Sequence, residues 1–260
     1  VHDKSFSRMT EFIFDSIIYS WIALACLTFF LLFFVTAPFG RHTSEQWGPS
    51  INARLGWFLM ELPSPLFLSL FFFLGKTPPN KVTLLFWGLW MLHYFNRSVI
   101  YPLRQRDQQK KMPVMIMGAA IFFNLINGFV NGYFLGNYGH LYPETWLASP
   151  IFWIGITVFL VGMFLNIQSD NILLNLRKPG ETGYKIPKGG LFKYVSCPNL
   201  FGEIIEWIGF AIMMWSLPAL SFALWTFANL SPRAIAHHKW YHNKFKDYPK
   251  ERKAVLPFIW

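Results

Sequence analysis

Apolar runs of roughly 20 residues, the length at which an α-helix spans a bilayer core about 30 Å thick, recur from one end of this chain to the other. Lipid offers no water to backbone N–H and C=O groups, so runs of this kind must close their hydrogen bonds internally, and at this length they do so as helices. Hydropathy places spans near 13–35, 57–74, 82–101, 113–132, 150–167, 202–215 and 218–236. The expected fold is an all-α integral membrane protein with seven transmembrane helices, a single membrane domain over residues 1–260. Only "SLP" (216–218) separates the last two spans, and one long kinked helix is the competing reading there. The first run is longer than the apolar region of a signal peptide and lacks a small-residue cleavage site, so it reads as a span.

Composition narrows the function classes. With 53% hydrophobic, 20% aromatic and only 14% charged residues, the chain is too apolar for a soluble domain of 260 residues. The net charge of +10 lies beside the spans, where anionic lipid and topology account for it; no nucleic-acid module is recognisable. "RQRDQQKK" (104–111), the loop 168–198 and the tail after Arg233 are basic, whereas "YPETW" (142–146) carries no Lys or Arg. The bias puts the loop 168–198 and the C-terminus in the cytosol and, with seven spans, the N-terminus outside. Cys26 lies in an apolar run and Cys197 in a polar loop, so a disulfide framework is not expected.

Polar groups inside the apolar background carry the functional signal. Glu61 stands in "GWFLMELPSPLFLSLFFFLG" (56–75), just before Pro63 and Pro65. A carboxyl in lipid marks function by default, and desolvation favours its neutral, hydrogen-bond-donating form. The structural alternative is that it pairs with a base or caps backbone freed by the prolines. In "HYFNRSVIYP" (93–102), His93 and Arg97 are one helical turn apart and Tyr94 lies a turn from Arg97 and Ser98. Snorkelling of Arg97 and an interfacial role for Tyr94 are the plainer readings. Between Asn166 and Asn199 runs the longest polar segment, whose glycines and prolines permit close backbone approach and whose cations suit phosphates; a solvated positive-inside loop has the same composition.

"GEIIEWIGFA" (202–211) opens an apolar helix with Glu203 and Glu206 at i, i+3, where the dipole of a first turn would favour them. A nearby amide, a ribose hydroxyl or a lysine would also serve as partner. In the tail "SPRAIAHHKWYHNKFKDYPKERKAVLPFIW" (231–260), Arg233, His237 and Tyr241 share one helical face that can line a pocket at the cytosolic mouth. His237, His238 and His242 lack the second ligand cluster a closed metal site needs, so no metal is expected. A buried acid in one half and a basic, Gly-rich cytosolic half fit an enzyme acting on a lipid with a water-soluble, phosphate-bearing cofactor. The G-x-G-x-x-G fingerprint of a Rossmann site is missing, so a nucleotide would sit among helices and loops.

The segments "MELPS", "LHYFNR", "NIQSD", "LRKPGETGYKIPKGGLFKYVSCPNLFGEIIEWIGFA", "WSLPAL" and "DYPKERKAVLPFIW" resemble the steroid 5α-reductase family in order and spacing. The likeness runs from about Gly56 to Trp260 and is most specific in the C-terminal half. It implies a seven-helix enzyme that uses NADPH to reduce the C4–C5 double bond of a 3-oxo-Δ4-steroid, with hydride to C5 and a proton to C4. Residues 1–133 would form the steroid cavity and 134–260 the NADPH site, with the cofactor held among the C-terminal helices and cytosolic loops.

By the same resemblance Glu61 and Tyr94 match the catalytic pair, and Asn166, Asp170, Arg177, Tyr184, Asn199, Glu203, Arg233, His237 and Tyr241 match positions contacting NADPH. His93, Arg97 and Met60 are expected as substrate or structural support. Arg177, Lys178, Lys185, Lys188 and Lys193, with Arg252 and Lys253, are candidates for the 2′-phosphate. Addition of hydride to an enone pushes charge onto the ketone oxygen, which donors held in a dry site stabilise; a neutral carboxylic acid beside a tyrosine does this in ketosteroid isomerase.

The family commonly has Gln directly before the glutamate, where this chain has Met60. That departure keeps an NADPH-dependent reductase of another lipid enone or enoyl group as the alternative. A membrane methyltransferase of similar C-terminal architecture is a second, and a transporter or lipid receptor a third, although no inverted repeat is seen. The expected partners are a steroid such as testosterone or progesterone and membrane lipid, with no nucleic acid and a monomeric chain. Localisation follows the host: endoplasmic reticulum in a eukaryote, inner membrane in a bacterium.

Overall fold

The computed structural model describes residues 2–36, 42, 47–107, 109–178, 181 and 183–256, with side chains from Met9 onward. Pro179, Gly180 and Thr182 of the polar loop and residues 257–260 of the tail lie outside the described residues. Helices α1 (His2–Phe34), α2 (Ala53–Glu61), α3 (Pro63–Phe73) and α4 (Lys81–Phe95) make up the first part of the chain. A π-helical turn (Asn96–Ile100) joins α4 to the short α5 (Tyr101–Arg104), and α6 (Val114–Tyr138), α7 (Pro150–Leu174), α8 (Pro198–Met214) and α9 (Leu217–Lys244) follow. Among the described residues four stretches are long and apolar enough to cross a membrane: Met9–Phe34, Ala53–Phe73, Val114–Leu141 and Pro150–Leu174. At 15 residues α4 alone falls short of a crossing and is continued by the π turn and α5, whereas the 17 residues of α8 stand at the short end of the range for a spanning helix.

Local chemistry explains several departures from the sequence reading. The span expected at 57–74 is interrupted at Leu62, because Pro63 has no N–H for the carbonyl four residues back. Pro102 likewise gives Ser98 no backbone donor; the chain widens upstream into the π turn, where the Tyr101 N–H reaches the Asn96 carbonyl. The last two spans are separate helices: Trp215 adopts a left-handed conformation (φ 47°) and ends α8, and Ser216, extended, caps α9 by accepting from the Ala219 N–H. A minimal antiparallel pair, β1 (Ser50–Asn52) with β2 (Lys111–Pro113), adds strand to an otherwise helical chain. Cys26 is exposed and Cys197 buried, and the two form no disulfide.

Two helix pairs approach closely on glycine, as lipid-embedded helices do when packing rather than water drives association. A Cβ on Gly128 or Gly132 of α6 would run into the backbone of Ser64 or Leu68 in α3. Between α7 and α8, Gly155 and Gly162 face Gly209 and Gly202. Around this frame Trp90, Trp207, Phe159, Phe210 and Phe222 fill the centre, with Trp207 and Phe222 ring centroids 4.3 Å apart. Helix α1 closes one side: Trp21 Nε1 donates to Asn127 Oδ1 at 3.1 Å, and Trp225 Nε1 donates to the Trp21 carbonyl at 2.8 Å.

The α7–α8 contact sets the spacing of the polar groups described next, so we expect Gly162→Ala to be felt. Its Cβ would meet the Gly202 carbonyl at 2.7 Å and the Glu206 backbone closer still. Overpacking of this kind costs about 1–3 kcal/mol. Gly88→Ala, whose Cβ meets nothing within 4 Å, serves as control in a detergent thermal melt.

Candidate active site

Three side chains from the last turn of α4 and the π turn, His93, Tyr94 and Arg97, organise the polar interior. Each is nearly buried, at 4%, 2% and 8% exposure, and each reaches a different partner. The Tyr94 hydroxyl donates to Asn124 Oδ1 of α6 at 3.0 Å. The same amide donates through Nδ2 to the Met60 carbonyl at 2.6 Å and lies 3.3 Å from Glu61 Oε2. Glu61 ends α2 and is only partly buried, so the α2–α3 break presents its carboxyl beside the tyrosine. The two groups expected to act together do meet, through an asparagine.

One turn further on, Arg97 forms the centre of an ionic network. Its Nη1 lies 3.2 Å from Asp170 Oδ2 and its Nη2 3.7 Å from Glu203 Oε2. Trp57 and Tyr101 flank the guanidinium at 4.7 and 5.0 Å from the ring centroids. Asn199 Nδ2 donates to Asp170 Oδ1 at 3.1 Å, and Asn166 Nδ2 donates to the Asn199 carbonyl at 3.0 Å and Glu203 Oε2 at 3.4 Å. Asn166, Asp170, Asn199 and Glu203 thus converge from α7 and α8 on an arginine of the N-terminal half. A separate buried pair, His93 Nδ1 with Glu206 Oε1 at 2.8 Å, ties α4 to α8.

The placement of Glu203 and Glu206 corrects the sequence reading. Pro198 starts α8 several residues before Gly202, so neither carboxylate stands in the first turn, and side-chain partners replace the helix dipole as their stabiliser.

Other expected site residues lie apart from this centre. Arg177 is in the polar loop, where its Nη1 donates to the Gly183 carbonyl at 3.3 Å. Tyr184 is exposed and its ring packs edge-on against Trp240 at 4.7 Å. Arg233 and His237 line a narrow cavity with Leu32, Thr36, His42, Pro232 and Ala236, and His237 Nδ1 is 3.2 Å from His42 Nε2. Tyr241, on the same face by spacing, stacks on Tyr248 at 5.1 Å. Met60 packs with Ala53, Trp57 and Met112, so its thioether sits in an apolar cluster where a glutamine would need a polar partner.

The tail folds back beside the start of α8: Ser196 N–H donates to the Lys253 carbonyl and Cys197 N–H to that of Ala254. His238 Nδ1 meets Ser196 Oγ at 2.6 Å, and Ser196 Oγ meets the Tyr248 hydroxyl at 2.7 Å. Burial first, then the charges of His242 and Lys253, hold the His238 imidazole below its ordinary value, which keeps it a neutral structural group at pH 7. Among the described residues no group of His, Cys, Asp and Glu is arranged to hold a metal.

Asn124 and the His93 partnership of Glu206 went unassigned in the sequence. For Asn124 a signal was available, an amide breaking the apolar stretch "FFNLINGFVNG", though a weaker one than the carboxyl of Glu61.

A family model described as 3-oxo-5-alpha-steroid 4-dehydrogenase matches residues 110–260. The chain is 46% identical over 242 residues to Steroid 5-alpha-reductase DET2 of Gossypium hirsutum, covering 91% of this chain and 93% of that protein. It is 42% identical over 254 residues to 3-oxo-5-alpha-steroid 4-dehydrogenase 1 of Bos taurus, covering 96% and 98%. With the human 3-oxo-5-alpha-steroid 4-dehydrogenase 1 the identity is 41% over 244 residues, covering 93% of each chain. On the strength of these matches, this chain belongs to the 3-oxo-5-alpha-steroid 4-dehydrogenase family.

Proposed function

We propose that this protein is an NADPH-dependent steroid 5α-reductase that converts a 3-oxo-Δ4-steroid, such as testosterone or progesterone, to its 5α-dihydro product. The observation that carries the reading is the Glu61–Asn124–Tyr94 set, a carboxyl and a phenol held on one amide inside an apolar bundle. Relatives covering nearly the whole chain bear names for that reaction.

Glu61 and Tyr94 are the donors to the steroid 3-ketone. Their hydrogen bonds strengthen as charge develops on that oxygen, and the surrounding aromatic core keeps water from competing. NADPH, when bound, supplies the hydride that C5 receives. The residues present fit such a group. Asn166, Asp170, Asn199 and Glu203 offer the amides and carboxylates that a carboxamide and ribose hydroxyls pair with, from α7 and α8. Arg177, Tyr184, Arg233, His237 and Tyr241 would extend the site along the loop and α9, with Arg177 and the neighbouring lysines suited to phosphate. Arg97 holds the carboxylates of Asp170 and Glu203 in place.

In this reading α1, the α2–α3 pair, α4 with its continuation, α6, α7, α8 and α9 are seven membrane crossings, and the loop 168–198 and the C-terminal tail face the cytosol. Residues 1–133 mainly wall the steroid cavity, residues 134–260 mainly hold the cofactor, and the chain acts as a monomer in the endoplasmic reticulum or a bacterial inner membrane.

The test is product analysis by chromatography and mass spectrometry, with purified protein, NADPH and a panel of 3-oxo-Δ4-steroids. A 5α-dihydro product is expected. Absence of product with NADPH still bound would move the substrate to another lipid enone. Binding displaced by S-adenosylmethionine but not by NADPH would replace the reaction class altogether.

A further inference from the structure

We propose that Asn124 is a positioning residue that sets which hydrogen each of the two ketone donors presents. The inference rests on the reading of Glu61 and Tyr94 as the ketone-polarising pair.

Asn124 is 3% exposed, and its three polar contacts leave it no freedom of orientation. The Met60 carbonyl, 2.6 Å away, can only accept, so Nδ2 must face it. Oδ1 then faces Tyr94, and at 3.0 Å the phenol must be the donor. The second Nδ2 hydrogen points toward Glu61 Oε2 at 3.3 Å, which makes that oxygen an acceptor. A carbonyl oxygen accepts better than a hydroxyl oxygen, so this contact favours the tautomer in which a proton on the Glu61 carboxyl sits on Oε1, the oxygen left for a substrate.

Tyr94 is held in the complementary way. Its single proton rests on Asn124 Oδ1 in the free protein, and an arriving ketone oxygen draws that proton by rotation about the Cζ–O bond. No covalent bond changes. One amide thus fixes the position of both donor oxygens and their proton polarity, which neither neighbour supplies alone.

A plainer role is helix glue, an amide joining α6 to the α2–α3 break. Asn124→Leu and Asn124→Asp separate the two in the full-length, NADPH-loaded protein, with kcat and KM for a 3-oxo-Δ4-steroid followed between about pH 5 and pH 9. A protonated carboxyl keeps the acceptor and one of the amide's two donors, whereas an ionised one only accepts. Asn124→Asp is expected to lose kcat as pH rises, a step missing in the parent and in Asn124→Leu. Asn124→Leu is expected to lower kcat by about 10–100-fold at every pH, with NADPH affinity little changed. In a Glu61→Gln background the same change should cost less than about threefold, because coupled groups are not additive.

Asn124→Leu with parental kcat/KM at all pH would overturn the inference. So would equal, pH-independent losses in both variants that track a lowered thermal midpoint. If Glu61→Gln and Tyr94→Phe are themselves fully active, the ketone-polarising pair fails and the inference falls with it. Impairment of those two variants alone leaves the pair standing without Asn124.

Discussion

Glu61→Gln is expected to lower kcat by about 10²–10³-fold, the loss typical of removing one preorganised donor to a developing oxyanion, while NADPH binds as before. The substitution keeps size and shape, and Oε1 of the new amide can still accept from Asn124, so the α2–α3 break has no reason to move. What changes is the donor. An amide N–H is a far weaker acid than a carboxylic O–H, and the difference grows as the ketone oxygen gathers charge. Tyr94→Phe removes the other donor and frees Asn124 Oδ1, so its loss should be of similar size. The measurement is single-turnover reduction of a 3-oxo-Δ4-steroid at saturating NADPH, with thermal melts alongside. A loss in kcat with KM unchanged places the effect in the transition state; a loss only in KM would make Glu61 a binding group. Parental turnover in both variants would end the proposed mechanism.

How far these features could be read in advance depended on the kind of signal. Glu61, His93, Tyr94 and Arg97 were conspicuous because each breaks an apolar run, and desolvation gives such a break a cause that needs no partner to be known. Asn124 breaks a run in the same way, but an uncharged amide in a helix with several other asparagines stands out less, and its partners lie 30 and 63 residues away. Pairing across that distance is a property of packing. Helix ends were misjudged where hydropathy and hydrogen bonding diverge: α8 begins at Pro198 in a polar stretch, four residues before the expected start at 202. The break between α8 and α9 rests on a tryptophan with positive φ, which propensity does not announce. The paired Gly155, Gly162, Gly202 and Gly209 were readable as a seven-residue spacing on two adjacent helices, but only their meeting shows why the spacing matters.

Arg97→Ala is expected to be the most damaging single change for folding. The guanidinium serves two carboxylates, Asp170 and Glu203, and packs between Trp57 and Tyr101, all with little access to water. Removing one member of a buried ionic set leaves uncompensated charge and costs about 3–5 kcal/mol. That is a large part of the roughly 5–15 kcal/mol by which folded domains are stable. Arg97→Lys should recover only part of it, since a point charge cannot serve two carboxylates in a fork or stack on the rings. The exposed pair Lys81–Glu144, at 3.0 Å, supplies the contrast: Lys81→Ala should cost less than about 1 kcal/mol. Thermal melts in detergent would rank the three variants, and NADPH binding should fail first in Arg97→Ala, because Asn166 and Asn199 are anchored to the same carboxylates. The decisive comparison adds Asp170→Asn to Arg97→Ala. If stability returns, the arginine was there to neutralise charge. If Arg97→Ala instead melts like the parent, Asp170 and Glu203 are not charged in the folded protein, and the amides of Asn166 and Asn199 hold the network alone.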